Sequence, residues 1–194
     1  KHIDCGDKIN SIVEKILSIE KVILVDEFNN FSEANPVYTD LTNSINFNEL
    51  INNTSKQIIY EQSDFDHPVY IMYSSGTTGI PKCIVHGAGG TLLQHFKEHA
   101  LHTDLKRDDT ITYFTTCGWM MWNWLVGTLQ IGASILLYDG SPIQPNKNVL
   151  WKLAEEEKIS VFGTSPKYLS MIAKSGYTPK DDCDLASLKT ILST

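Results

Sequence analysis

YSSGTTGIPK, residues 73–82, interrupts an apolar stretch: PVYIMY (68–73) runs into it and CIV (83–85) follows it. Both flanks are rich in β-branched and aromatic residues and read as strands, with the polar segment as the loop between them. Gly76 and Gly79 let the backbone turn and approach a ligand closely. Free N–H groups in such a loop point inward and form a nest for an anion. Ser74, Ser75, Thr77 and Thr78 add hydroxyl donors, and Lys82 adds a positive charge. Phosphate is the ligand that this set suits. The order differs from the common P-loop, which has glycine before its lysine and Ser/Thr after it; here Pro81 precedes Lys82 and Cys83 follows. A ligand-free turn could share this composition, but the ten-residue string is far more specific than its composition.

Outward from the loop, helix and strand alternate. Ile9, Ile12, Val13, Ile16 and Leu17 recur at helical spacing, and VILV (22–25) reads as a buried parallel strand. Residues 29–53 are rich in Asn, Ser and Thr and read as loop, with one turn of helix at 47–51. After the second flanking strand a helix is expected, with Leu92, Leu93, Phe96 and Ala100 as its apolar stripe. Strands at 110–115, 133–138, 159–163 and 190–193 are separated by helices at 119–130 and 149–157 and by one that Ser165 caps. Pro166 at its first position and Gly176 past its end are the start and stop signals of that last helix. Repeated β-α-β units with short connections predict an α/β fold, its sheets mainly parallel with flanking helices. A boundary between two α/β lobes is expected near residues 64–67.

Composition limits what such a fold does. With 42% hydrophobic and 20% charged residues the chain has the balance of a soluble globular protein. A net charge of −7 argues against a nucleic-acid surface, so an anionic ligand must be held by local donors. No apolar run approaches the ~20 residues of a membrane span, and no signal peptide is visible. Cys5, Cys83, Cys117 and Cys183 stand far apart without a CxxC pair, which reads as reduced thiols in the cytoplasm. A chain that starts at Lys1 and stops in a strand is expected to be a piece of a longer one.

Two further clusters invite a functional reading. GWMMWNW (118–124) places Trp119 and Trp122 on one helical face and Trp124 well away from it, so at least one of them lines a pocket or an interface. Plain core is the alternative. His95, His99 and His102 lie at i, i+4 and i+7, but no further ligand or second shell is signalled. They read as a half-exposed helical edge and not as a metal site. His86, just after the phosphate loop, is the better functional candidate, against the alternative of a strand-end histidine satisfied by backbone.

YSSGTTGIPK resembles the signature of the adenylate-forming superfamily, which includes acyl-CoA synthetases, luciferases and peptide-synthetase adenylation domains. SSGTTGIPKCIVHGAGGTLLQHFKEHALH and TTCGWMMWNWLVGTLQIGASILLYDGSP narrow the resemblance to the acetoacetate-activating branch of the acyl-CoA synthetases, across about residues 70–168. Cys83, where many superfamily members have glycine, fits that branch. The resemblance implies that the carboxylate of acetoacetate attacks Mg2+-bound ATP to give an acyl-adenylate and pyrophosphate, after which coenzyme A (CoA) displaces AMP. Ser75, Gly76, Thr77, Thr78, Gly79 and Lys82 would grip the β- and γ-phosphates, with Ser74 near the Mg2+ and the phosphates. Trp119, Met120, Met121 and Trp122 would floor the acyl pocket, and Ser165 would lie near the CoA pantetheine path. Residues 1–194 would form an internal part of the large N-terminal AMP-binding domain. The adenine and ribose contacts and the C-terminal lid with its catalytic lysine would lie outside them.

Overall fold

The structure is a computed structural model that describes residues 6–25, 43–52, 57–74 and 79–194. The chain divides into two compact units, Lys1–Glu61 and Gln62–Thr194.

In the first unit, helix α1 (Gly6–Lys15) is followed by strand β1 (Val22–Leu24), which pairs in parallel with β2 (Ser44–Asn46), Ile23 opposite Ile45. Helix α2 (Phe47–Asn52) follows directly, and the Asn46 side-chain oxygen accepts from the Asn48 N–H at 2.8 Å. That is an Asx cap, and it explains why the helix starts there. The helical turn expected at 47–51 is therefore present, but β2 was hidden by its polar sequence, SIN. The rest of the expected loop, residues 29–42 and Asn53, lies outside the described residues. Ile23 and Val25 are about half exposed, so the VILV strand is not buried on both faces within this chain.

The second unit carries a hairpin and a sheet. Strands β3 (Pro68–Ser74) and β4 (Lys82–Gly87) pair antiparallel, Ser74 opposite Lys82 and Tyr73 opposite Cys83. Antiparallel pairing follows from loop length, since a parallel return needs a crossover of about a dozen residues or more. Helix α3 (Ala88–Lys97) leaves β4 at once, its first N–H groups bonded to the carbonyls of His67 and Phe65 at 2.8 Å each. A π-helical turn, Glu98–His102, extends it.

The remaining strands, β5 (Thr110–Tyr113), β6 (Ser134–Leu136), β7 (Val161–Thr164) and β8 (Thr190–Ser193), form an all-parallel sheet in the order β6-β5-β7-β8. Helix α4 (Met120–Gly127) and a 3₁₀ turn (Thr128–Ile131) join β5 to β6. Helix α5 (Val149–Glu156) joins β6 to β7, and α6 (Pro166–Lys174) and α7 (Pro179–Asp182) join β7 to β8. Alternate residues of β7 serve opposite faces, as the two-residue period of a strand requires. Val161 packs with Ile111, Met121, Trp124 and Leu125; Phe162 packs with Leu150, Trp151, Tyr168 and Ile172. Gly163 on β7 is set by space: a Cβ there would lie 2.1 Å from the ring of Tyr113, its partner on β5.

Sheet order decides where a ligand can sit. The connection from β5 leads to β6 on one side, and the connection from β7 leads to β8 on the other. Strand order therefore reverses between β5 and β7, the kind of point at which open α/β sheets place a ligand crevice.

Helix α3 turns a different face inward from the one its apolar spacing predicts. Leu92, Leu93 and Phe96, of the expected apolar stripe, are 55%, 61% and 49% exposed, whereas His99, expected on a half-exposed edge, is fully buried. Side chains on that edge pack on α4, where Gly127 leaves room for them: a Cβ on Gly127 would lie 2.5 Å from His95 Nδ1. His99 Nε2 donates to the Trp124 carbonyl at 2.9 Å, and its ring lies 4.2 Å from the Trp124 ring.

Candidate active site

Ser74 and Lys82 end the two strands of the hairpin and face each other across it, so the loop is anchored at both ends by a cross-strand pair. Ser74 is half-buried and Lys82 exposed. Gly79 has φ +92° with open space where a Cβ would be. This left-handed backbone is costly for any L side chain, so glycine is required for the turn itself. Ser75, Gly76, Thr77 and Thr78 lie outside the described residues.

From Lys82, β4 runs to Val85, His86 and Gly87, which line a cavity of about 830 Å³. At ~3.4 Å per residue, Lys82 and Val85 are about 10 Å apart along the strand. The volume suits a small organic ligand. One wall is apolar, made by Tyr113, Met120, Met121, Trp124 and Leu192. The polar lining is made by His86, Gln94, His95, Glu98 and His102. Ser193 and Thr194, at the carboxyl end of β8, also line it. Asn123 on α4 donates to the Met72 sulfur at 3.2 Å, which ties the helix of the apolar wall to β3 of the loop hairpin.

Of the tryptophan-methionine segment, Met120 and Met121 lie on the cavity wall, Met120 half-exposed and Met121 only 5% exposed within the core. Trp119 stands at the N-cap of α4 and meets Tyr113 edge-on at 5.9 Å between ring centroids. Trp122 is half-buried. Trp124, set apart from the other two by the helical spacing, is the tryptophan on the wall. Ser165 caps α6 at the carboxyl end of β7, its Oγ accepting from the Tyr168 N–H at 3.2 Å.

Burial lowers the pKa of both His95 and His99. For His95, Glu98 opposes the shift and His86 adds to it; for His99, the Trp124 carbonyl opposes it. Both imidazoles are thus biased to the neutral form, because burial disfavours the charged one. His99 spends Nε2 on Trp124, and its Nδ1 has no partner. Among the described residues, no group of three or more His, Cys, Asp or Glu side chains is arranged to hold a metal. Sequence reasoning missed Gln94, Glu98, Tyr113 and residues 192–194. They come from α3, the π-helical turn, β5 and the end of β8, and no local spacing pattern could have joined all of them.

The sequence model of the family described as AMP-binding enzyme matches residues 4–194. The chain belongs to that family of adenylate-forming enzymes. Its similarities within the family are specific: it is 42% identical to the acetoacetyl-CoA synthetase of Danio rerio over 100% of this chain and 29% of that protein. Against the acetoacetyl-coenzyme A synthetase of Rhizobium meliloti it is 56% identical over 71% of this chain and 21% of the other. The solved structure of acetoacetyl-CoA synthetase from Streptomyces lividans superposes with a TM-score of 0.86 at 35% identity, covering 100% of this chain and 28% of that one. The chain thus spans under a third of the length of these relatives.

Proposed function

We propose that this chain is part of an ATP-dependent acid–thiol ligase that converts acetoacetate and CoA to acetoacetyl-CoA through an acyl-adenylate, releasing AMP and pyrophosphate. One observation carries the reading: a single strand, β4, bears Lys82 at the polar loop and Val85, His86 and Gly87 on the cavity wall. Such a strand can hold a polyphosphate and an acid in fixed relation. Positioning and charge stabilisation are what transfer at phosphorus chiefly requires. Ser74, Ser75, Gly76, Thr77, Thr78, Gly79 and Lys82 would hold the phosphates of ATP, with Mg2+ travelling on the nucleotide and reaching Ser74. Met120 and Met121, with Trp119 and Trp122 on the same turn, would shape the acyl site, and Ser165 would stand near the CoA path. Acetoacetate as the acid follows the names of the similar proteins. The exposed thiols of Cys83 and Cys117 suit the reducing cytoplasm.

The experiment is acid-dependent pyrophosphate release by the full-length protein across acetate, propionate, butyrate and acetoacetate. The highest kcat/KM is expected for acetoacetate. Preference for a simple short acid would make the protein a different acyl-CoA ligase. ATP binding without pyrophosphate release from any acid would make it a nucleotide-binding module.

A further inference from the structure

Trp124 is held from several sides. Its indole N–H donates to Glu98 Oε2 at 3.0 Å, and its carbonyl accepts from His99 Nε2 at 2.9 Å. Tyr113 meets its ring edge-on at 6.2 Å. Glu98 and His99 are consecutive, yet both reach the same residue. They do so from the π-helical turn, where the Thr103 N–H bonds to the Glu98 carbonyl five residues back at 2.8 Å. Such turns are rare in helices and concentrate at functional sites.

Glu98 also stands on the cavity wall, where a free carboxylate would repel an acid substrate. Both of its oxygens are engaged: Oε2 accepts from Trp124 and Oε1 accepts from the Gln94 amide at 2.6 Å. The charge is turned towards donors of the protein itself, and these charge-assisted bonds are stronger than neutral ones. Trp124 is 6% exposed and lines the cavity. Without Glu98 the indole N–H loses its acceptor, the one it has among the described residues.

We propose that Glu98 is a positioning residue that sets the acid selectivity of the cavity by fixing the indole of Trp124 against it. The proposal rests on the reading of the cavity as the acyl site.

The test uses the full-length protein with fluorotryptophan labelling. Glu98→Ala is expected to lower kcat/KM for acetoacetate relative to butyrate and valerate by ~10- to 200-fold, the range that pocket shape controls. The KM for Mg-ATP should stay within about twofold, since the phosphate loop is at the far end of β4; ordinary variation in KM spans far more than this. Glu98→Gln retains an acceptor for the indole and should restore most of the selectivity. If Glu98→Ala fails to fold, Trp124→Phe serves instead, because it removes the same N–H while keeping an aromatic ring. The 19F resonance of position 124 should move in Glu98→Ala and return in Glu98→Gln. An unchanged acid ratio in Glu98→Ala or Trp124→Phe, or equal loss in Glu98→Ala and Glu98→Gln, overturns the proposal. A moved resonance with no acid-dependent pyrophosphate release in the parent overturns both it and the functional reading. Release by the parent with an unchanged ratio in the variants overturns the proposal alone.

Discussion

Gly127→Ala should destabilise the protein even though alanine is the better helix former. Gly127 has φ −56° and ψ −20°, ordinary helical backbone, so glycine is not required by conformation. The substitution would add up to ~1 kcal/mol of helix propensity, less at this last position of α4. Space opposes it. The new Cβ would lie 2.5 Å from His95 Nδ1 and 3.0 Å from His95 Cβ and Cγ. Rotation of the imidazole can relieve the first contact but not the one with Cβ, which the backbone of α3 fixes. Carbon atoms prefer separations of ~3.5–4.0 Å, so α3 and α4 must part by about 0.5–1 Å. Overpacking of this kind costs ~1–3 kcal/mol. The net expectation is a loss of about 1–2 kcal/mol, the difference between these two effects. At ~2–4 °C per kcal/mol for a domain of this size, thermal unfolding should shift down by several degrees. His95→Ala removes the ring, and on that background Gly127→Ala should become neutral or stabilising, a coupling of ~1–3 kcal/mol. A Tm that rises with Gly127→Ala alone, or an equal loss on both backgrounds, would refute the packing argument.

Gly163→Ala should be more damaging still, because its Cβ would sit 2.1 Å from the Tyr113 ring between two central strands; Tyr113→Leu should rescue the urea midpoint and Tyr113→Phe should not. Met120→Ala, on the cavity wall and half-exposed, should shift the ratio of kcat/KM between acids by ~10-fold or more with little change in Tm. Burial holds the His99 pKa below the usual 6.5, so its contribution to stability is complete above about pH 6.5 and is lost as pH falls through the lowered folded value. His95 is shifted in the same direction, and a plot of Tm against pH from 8 to 5 should flatten in His99→Gln. On the proposed function, the 194-residue chain by itself, under a third of the length of its relatives, should show no acetoacetate-dependent pyrophosphate exchange, since incomplete positioning of the reactants forgoes up to ~7–11 kcal/mol; exchange near the full-length rate would sink that reading.

Local patterns in the amino-acid sequence determine much of this protein. Pro166 and Gly176 bracket α6 because a fixed φ and a missing Cβ act on the backbone wherever they occur. The two strands on either side of the polar loop were legible for the same reason: β-branched and aromatic runs ending in Ser/Gly/Thr have few other solutions. Contacts between elements were not legible. β2, with the sequence SIN, is a strand because it pairs with β1, not because of its own propensity. On α3, apolarity predicted that Leu92, Leu93 and Phe96 face the core, yet within this chain they are exposed and His99, in the turn that extends the helix, is buried. What reversed the helix is a glycine thirty-two residues from His95, which lets α4 approach closely enough for His99 to reach the Trp124 carbonyl. The cavity arises the same way, from the carboxyl ends of β5 and β8, one end of β4, helices α3 and α4 and a π-helical turn. Periodicity describes which face of one element is apolar; only the tertiary structure decides which face another element covers, because that depends on where space exists for it.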